Sequence, residues 1–226
     1  MKKKVILGLL VIILVCAGYF GYPYIERHYI TATTDIELEE VNEDSDILIA
    51  YFTRLENMEE DKDVDAVSGA SLMKDSQGNL IGNTQAIATN IQKVTHGHLY
   101  SITTDKKYSS SYDTNTQQAR EEMEKDELPT LSTQINNMDQ YKTIYLVYPL
   151  WWGTFPQPVK SFLKSYDFSE KTIIPVASQG SSGFGSSIED MKKNTNATID
   201  ENGISIYCAD ASDCYDEIKT WLDGRQ

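Results

Sequence analysis

Apolar residues along this chain fall into short blocks, and the period changes from block to block. Asp46 to Phe52 (DILIAYF), His98 to Thr103, Thr143 to Tyr148 (TIYLVY), Lys171 to Ala177 (KTIIPVA) and Ile204 to Cys208 are runs rich in β-branched and aromatic residues. Such runs are the pattern of strands covered on both faces in a parallel sheet. Between them the spacing becomes helical. Ile87, Ala88 and Ile91 form the apolar face of a helix opened by Gly82-Asn83-Thr84, and Thr116 to Lys125 reads as a polar helix. Val159, Phe162 and Leu163 mark a third helix, a fourth runs through Met191, and a fifth covers Tyr215 to Leu222. Five strands alternating with five helices predict an α/β doubly wound parallel sheet with right-handed crossovers.

The stretch Thr143 to Tyr166 organises the rest. Its strand stops at Pro149, two adjacent tryptophans follow (Trp151, Trp152), and Gly153, Phe155, Pro156 and Pro158 lead into the helix of Val159 and Phe162. A loop at the carboxyl end of a parallel strand is where open α/β sheets take their ligands. Indoles beside Gly and Pro in such a loop either cover a planar ligand or pack on the protein itself.

The polar positions set the domain limits. Residues 1–25 begin with Lys2, Lys3 and Lys4 and continue as the apolar run Val5 to Tyr24, which reads as a signal anchor, or a signal peptide, with the lysines on the cytoplasmic side. Residues 26–45 are acidic and aperiodic, a tether, and 46–226 form the folded domain. Leu55 to Leu80 is polar and acidic and reads as a long loop.

Net charge is −14, and because the first thirty residues are themselves basic the remainder carries about −17. That field excludes nucleic acid as a partner and favours basic or cationic ones. Cys16, Cys208 and Cys214 make no metal pattern; Cys208 and Cys214 read as two buried thiols, or as a pair if the domain is exported. No Ser-His-Asp arrangement is present, and His96 and His98 read as exposed residues at a helix–strand junction.

Three loops follow the carboxyl ends of strands one, three and four. Thr53-Arg54 with Gly82-Asn83-Thr84 places hydroxyls and amides at a helix N-terminus, which suits a phosphate. Pro149, Leu150, Trp151, Trp152 and Gly153 offer aromatic faces to a planar ring. Ser178, Gln179, Gly180, Gly183, Phe184 and Gly185 form a glycine-rich loop whose amides can approach a ring rim. Arg54 is either a phosphate contact or a solvated loop residue. Tyr108 and Tyr112 either flank a ring or substrate or pack on the surface.

With these residues in view the chain resembles the flavodoxin-like family, in the subgroup carrying YPxWWGTxPxPVxxFL, which stands here as Tyr148 to Val159 with Phe162-Leu163. The likeness spans residues 46 to about 210 and includes ILIAYFT, GNT and EKTIIPVASQGSSGFGSS. It implies a three-layer sandwich with strand order 2-1-3-4-5 and FMN held non-covalently by the three loops. It also implies electron transfer to a redox partner protein or a small acceptor such as a quinone. Alternatives on the same fold are an FMN-dependent NAD(P)H:quinone reductase and a flavin-free binding module. The chain departs from the family at the phosphate loop, where about thirty residues separate Thr53 from Gly82. Relatives with such an insertion often carry a run like Asp65 to Ser71.

Overall fold

The computed structural model describes residues 43–59, 64, 72–75 and 77–225. The expected anchor, nearly all of the tether and the run Asp65 to Ser71 lie outside the described residues. No helix among the described residues is long and apolar enough to cross a membrane.

The expected alternation is present. Strands β1 (Ile47–Tyr51), β4 (His98–Ser101), β5 (Thr143–Pro149) and β6 (Thr172–Gln179) form a parallel sheet in the order β4-β1-β5-β6. Helices α1 (Asn83–Thr95), α2 (Tyr112–Lys125), α3 (Gln157–Ser165), α4 (Ser187–Asn194) and α5 (Tyr215–Asp223) complete the alternation. Side-chain alternation along each strand divides the core in two. Leu48, Ala50, Ile144, Leu146 and Tyr148 face one cluster with Val159, Phe162 and Met191 from α3 and α4. Ile49, Tyr51, Tyr145, Val147 and Val176 face the other with Ile87, Ile91, Ile218 and Leu222 from α1 and α5. Both faces of β5 are therefore sealed, and each fully buried aliphatic side chain there contributes roughly 1.5–3 kcal/mol.

Helix ends follow local chemistry. His96 closes α1 in the left-handed region (φ 54°), its amide donating to Gln92 O at 2.8 Å. Pro156 and Pro158 flank the first residue of α3, where a missing N–H costs nothing.

Two details differ from the sequence reading. The stretch read as a long loop contains an antiparallel hairpin, β2 (Leu72–Lys74) with β3 (Leu80–Gly82), closed by Asp75, whose carboxylate accepts from the amides of Gln77 and Asn79. The fifth strand is split. β7 (Thr198–Ile199) pairs with the start of β6, and β8 (Ile204–Tyr207) with its end. Pro175 sits between the two halves, opposite Gly203. Ile173 accepts from Asp200 N on that side, so the period of two turns the missing Pro175 N–H the same way, to the place where no strand asks for it.

Candidate functional site

The carboxyl end of β1 continues into Phe52, whose amide donates to Val147 O (3.0 Å). Thr53 and Arg54 follow, and the chain returns through β3 to the start of α1. Gly82 is the N-cap, and no side chain caps the first turn. A Cβ on Gly82 would lie 2.2 Å from Thr53 Oγ1, so the two segments meet only because position 82 has no side chain. Thr53, Asn83 and Thr84 are buried. The Thr84 hydroxyl donates to Phe52 O (2.6 Å), Asn83 Nδ2 donates to Cys208 O (3.2 Å), and Leu55 N donates to Thr53 Oγ1 (3.3 Å). The helix N-terminus is thus locked to the ends of two strands. Arg54 is buried too, which excludes the solvated alternative; its guanidinium donates to the carbonyls of Ser109 and Ser110.

After β5, the amide of Leu150 donates to Ser178 O (2.9 Å), joining this loop to the end of β6. Trp151 and Thr154 then exchange both backbone hydrogen bonds (2.9 and 3.2 Å) across two residues with positive φ, Trp152 (55°) and Gly153 (82°). Positive φ at both central positions marks a type I′ turn. Asn or Gly usually occupies the first of them, and a large side chain there costs roughly 1–2 kcal/mol. The adjacent indoles part company at this turn. Trp151 is buried edge-on against Phe52 (5.5 Å between centroids) and Tyr108 (5.3 Å). Trp152 is 48% exposed, with Nε1 donating to Thr116 O (3.0 Å) and Arg120 over its ring (5.2 Å). One indole packs on the protein and the other is presented at the surface.

The glycine-rich loop after β6 is folded by Gln179, whose Oε1 accepts from the amides of Ser182 (3.0 Å) and Gly183 (3.4 Å). Its far end is fastened to the tryptophan turn: Ser186 N donates to Gly153 O (2.8 Å), and a Cβ on Gly185 would lie 2.1 Å from that oxygen. Ser178 is buried and Phe184 half-buried. At Gly180 and Gly183 nothing lies within 4 Å of where a Cβ would stand. All three predicted segments therefore gather on one edge of the sheet. The α1 segment is closed, the tryptophan turn is half-buried, and the glycine loop is open along its first half.

Several residues beside the site escape the strand-end argument. Tyr108, read as ring-flanking or surface, is fully buried, its hydroxyl donating to Glu122 Oε2 (2.6 Å), while Lys106 Nζ lies 3.0 Å from Glu122 Oε1. Burial, and then the neighbouring carboxylate, hold the Tyr108 phenol well above its usual pKa. Tyr112, Asn115, Thr116 and Ala119 of α2 form one wall of a cleft of about 200 Å³, and Leu150, Trp151 and Trp152 form the other. Those α2 residues stand at i, i+3, i+4 and i+7, a face that helical spacing reveals once the helix is started at Tyr112 rather than Thr116. His98 is half-buried rather than exposed, with Nδ1 2.9 Å from the Tyr141 hydroxyl. Cys208 and Cys214 are buried thiols that form no disulfide.

A sequence profile of the flavodoxin family matches residues 76–225, two thirds of the chain. The chain belongs to the flavodoxin family. Among solved structures, this flavodoxin is similar to two Bacteroides proteins provisionally named flavoproteins. The one from Bacteroides uniformis is 22% identical, with 82% of this chain and 99% of that chain covered and a TM-score of 0.58. The one from Bacteroides eggerthii is also 22% identical, covering 79% and 96%, TM-score 0.56. A flavoprotein from Lactobacillus acidophilus, solved in complex with FMN, is 14% identical, covering 78% and 97%, TM-score 0.51. A search of curated proteins gave no match.

Family membership brings FMN as the cofactor, and the residues of this edge fit it. The first turn of α1 has no side-chain cap and offers amides and a helix dipole to a phosphate. Gly180 and Gly183 leave open backbone where a side chain would fill the space. Trp152 presents an exposed aromatic face.

Proposed function

We propose that this flavodoxin holds one FMN at the three strand-end loops and carries electrons between partners at a membrane, tethered by residues 1–25. The observation that supports this most directly is the fastening of the tryptophan turn to the glycine loop beside an uncapped helix N-terminus, all on one sheet edge. Gly82, Asn83 and Thr84 hold the phosphate through backbone amides, with Thr53 and Thr84 fixing the geometry of that turn. Pro149 to Gly153 and Ser178 to Gly185 orient the ring and exclude water from it. The bound flavin supplies the redox chemistry; the protein supplies position and electrostatics. Reduction adds negative charge, which the chain's net −14 opposes, so the fold holds the potential low and favours a basic redox partner.

Titration of the full-length chain with FMN and with riboflavin tests the assignment. Near-stoichiometric FMN binding, and much weaker binding of riboflavin, is the expected result. Equal affinity for the two would move the phosphate away from α1, and a colourless chain that takes up neither would leave the flavin-free reading. Steady-state oxidation of NADH or NADPH with a quinone separates carrier from reductase; a carrier shows no sustained turnover. The tether is tested by fractionation, where a chain found soluble in the cytoplasm would remove the membrane from the proposal.

A further inference from the structure

The tryptophan turn is held by a residue outside all three strand-end segments. Trp152 keeps a φ of 55° at a position where Asn or Gly is usual. Such strain persists only where the surroundings impose it. The surroundings here include Asp190 of α4. A single oxygen, Asp190 Oδ2, accepts from the Thr154 hydroxyl (3.0 Å) and from the Ser186 hydroxyl (2.7 Å). Thr154 closes the tryptophan turn and Ser186 follows the glycine-rich loop, so one carboxylate ties the two segments together. Two features mark the contact as built. Ser186 is the N-cap of α4, where a serine hydroxyl ordinarily accepts from the helix's own amides; no side chain caps this helix, and the hydroxyl is given to Asp190 instead. Asp190 also stands on a fixed post. Ser187, three residues before it, and Met191, next to it, are fully buried, and Ser187 Oγ lies 2.8 Å from the Tyr148 hydroxyl of β5. Its other oxygen meets Lys193 (3.2 Å), an exposed pair on the same helix that contributes little.

We propose that Asp190 is the positioning residue of the Trp152 indole and, through it, of the flavin ring; only the second half rests on the flavin reading. Hydrogen bonds to an ionised acceptor are stronger than neutral ones, and two of them on one oxygen are enough to offset the left-handed strain of one residue. Without Asp190, Thr154 is no longer held against α4. The turn then relaxes toward negative φ at Trp152, and the indole leaves Thr116 O, to which its Nε1 donates. The aromatic face offered to a ring loses its fixed orientation. An asparagine at 190 keeps an acceptor of the same shape for both hydroxyls, so it retains most of the hold; an alanine keeps none.

The test follows the indole N–H resonance of Trp152 in the full-length chain without flavin, assigned with Trp152→Phe. Asp190→Ala is expected to shift that resonance and to raise its exchange with water about tenfold, the ratio one hydrogen bond supplies. The resonance of Trp221, at the far margin of the sheet, should stay in place and report an intact fold. Asp190→Asn should restore most of the protection. Thr154→Val removes one of the two donors and decides the matter if Asp190→Ala fails to fold. It should reproduce part of the effect and add nothing once Asp190 is gone. An unmoved Trp152 resonance in both Asp190→Ala and Thr154→Val, or full additivity of the two, would overturn the proposal. In titrations, Asp190→Ala should weaken FMN and riboflavin by the same factor, because it acts on the ring side. Loss confined to FMN would overturn the proposal as well, by placing the effect at the phosphate. A chain that takes up neither flavin but shows the exchange change supports the hold on Trp152 and faults only the flavin reading.

Discussion

The segment at the start of α1 and the glycine-rich loop after β6 lie on the same sheet edge and are built in opposite ways. At α1, Thr84, Asn83 and Thr53 are buried, Thr84 and Asn83 are hydrogen-bonded to the ends of β1 and β8, and Gly82 is pressed against Thr53. After β6, Gly185 is pressed against Gly153 in the same manner, while Gly180 and Gly183 face open space. The comparison separates two uses of glycine in one site. At positions 82 and 185 it permits the protein to touch itself. At 180 and 183 it keeps the protein out of the way.

The sharpest way to break this comparison is a matched pair of alanine substitutions. Gly82→Ala must move Thr53 or the helix start, and overpacking of this kind should cost about 2–3 kcal/mol, read by chemical denaturation, with loss of FMN uptake. Gly180→Ala should stay within about 0.5 kcal/mol. Similar costs at both positions would mean that the glycine loop is as closed as α1.

A pH series probes the closed side through Cys214, which accepts from Asn90 Nδ2 of α1 (3.4 Å). Burial pushes its thiol from 9.0 up to about 11. A folded-state pKa above the unfolded one means that this stabilisation is fully present below pH 9 and is lost as pH rises through about 11, a change of roughly 2 kcal/mol. The stability difference between the unsubstituted chain and Cys214→Ala should therefore narrow across that window. A difference that stays constant there would show that the thiol is not sealed.

Thr84→Ala comes next, because it deletes the donor to Phe52 O. Leaving that buried carbonyl short of a partner should cost about 1–2 kcal/mol, with Thr84→Ser recovering most of it. If stability is unchanged, the hydroxyl is free for a ligand and the segment is less locked than its geometry indicates. Gly183→Ala closes the series. Its φ of 57° imposes a left-handed penalty of roughly 1 kcal/mol with no clash to add. It should be measured against Gly180→Ala, which carries no such penalty.

The strand and helix order was legible because each element carries its own period, and TIYLVY or KTIIPVA needs no partner to be recognised. The three strand-end segments were legible for the same reason, since they follow those strands. What was hidden depends on contacts distant in sequence. Arg54 is buried because carbonyls more than fifty residues away, at Ser109 and Ser110, receive it. Trp151 and Trp152 look equivalent in a sequence, and only positive φ at Trp152 turns one inward and the other out. The β2–β3 hairpin sits in a polar stretch whose apolar residues, Leu72, Met73, Leu80 and Ile81, are too few to show a period.

The break at Pro175 and Gly203 carries a further consequence. β7 and β8 form one margin of the sheet, and they offer two and four residues on either side of an interruption rather than one continuous ladder. A margin of unpaired amides and carbonyls is a template on which a second chain can add a strand, and continuous length is what makes such addition stick. In a strongly apolar parallel sheet, a proline inside β6 that forces its neighbour to break acts as a guard against self-association. Position 203 keeps the gap open as well, because a Cβ there would lie 2.1 Å from Pro175 O, so Pro175→Val alone would not join the two halves into one ladder.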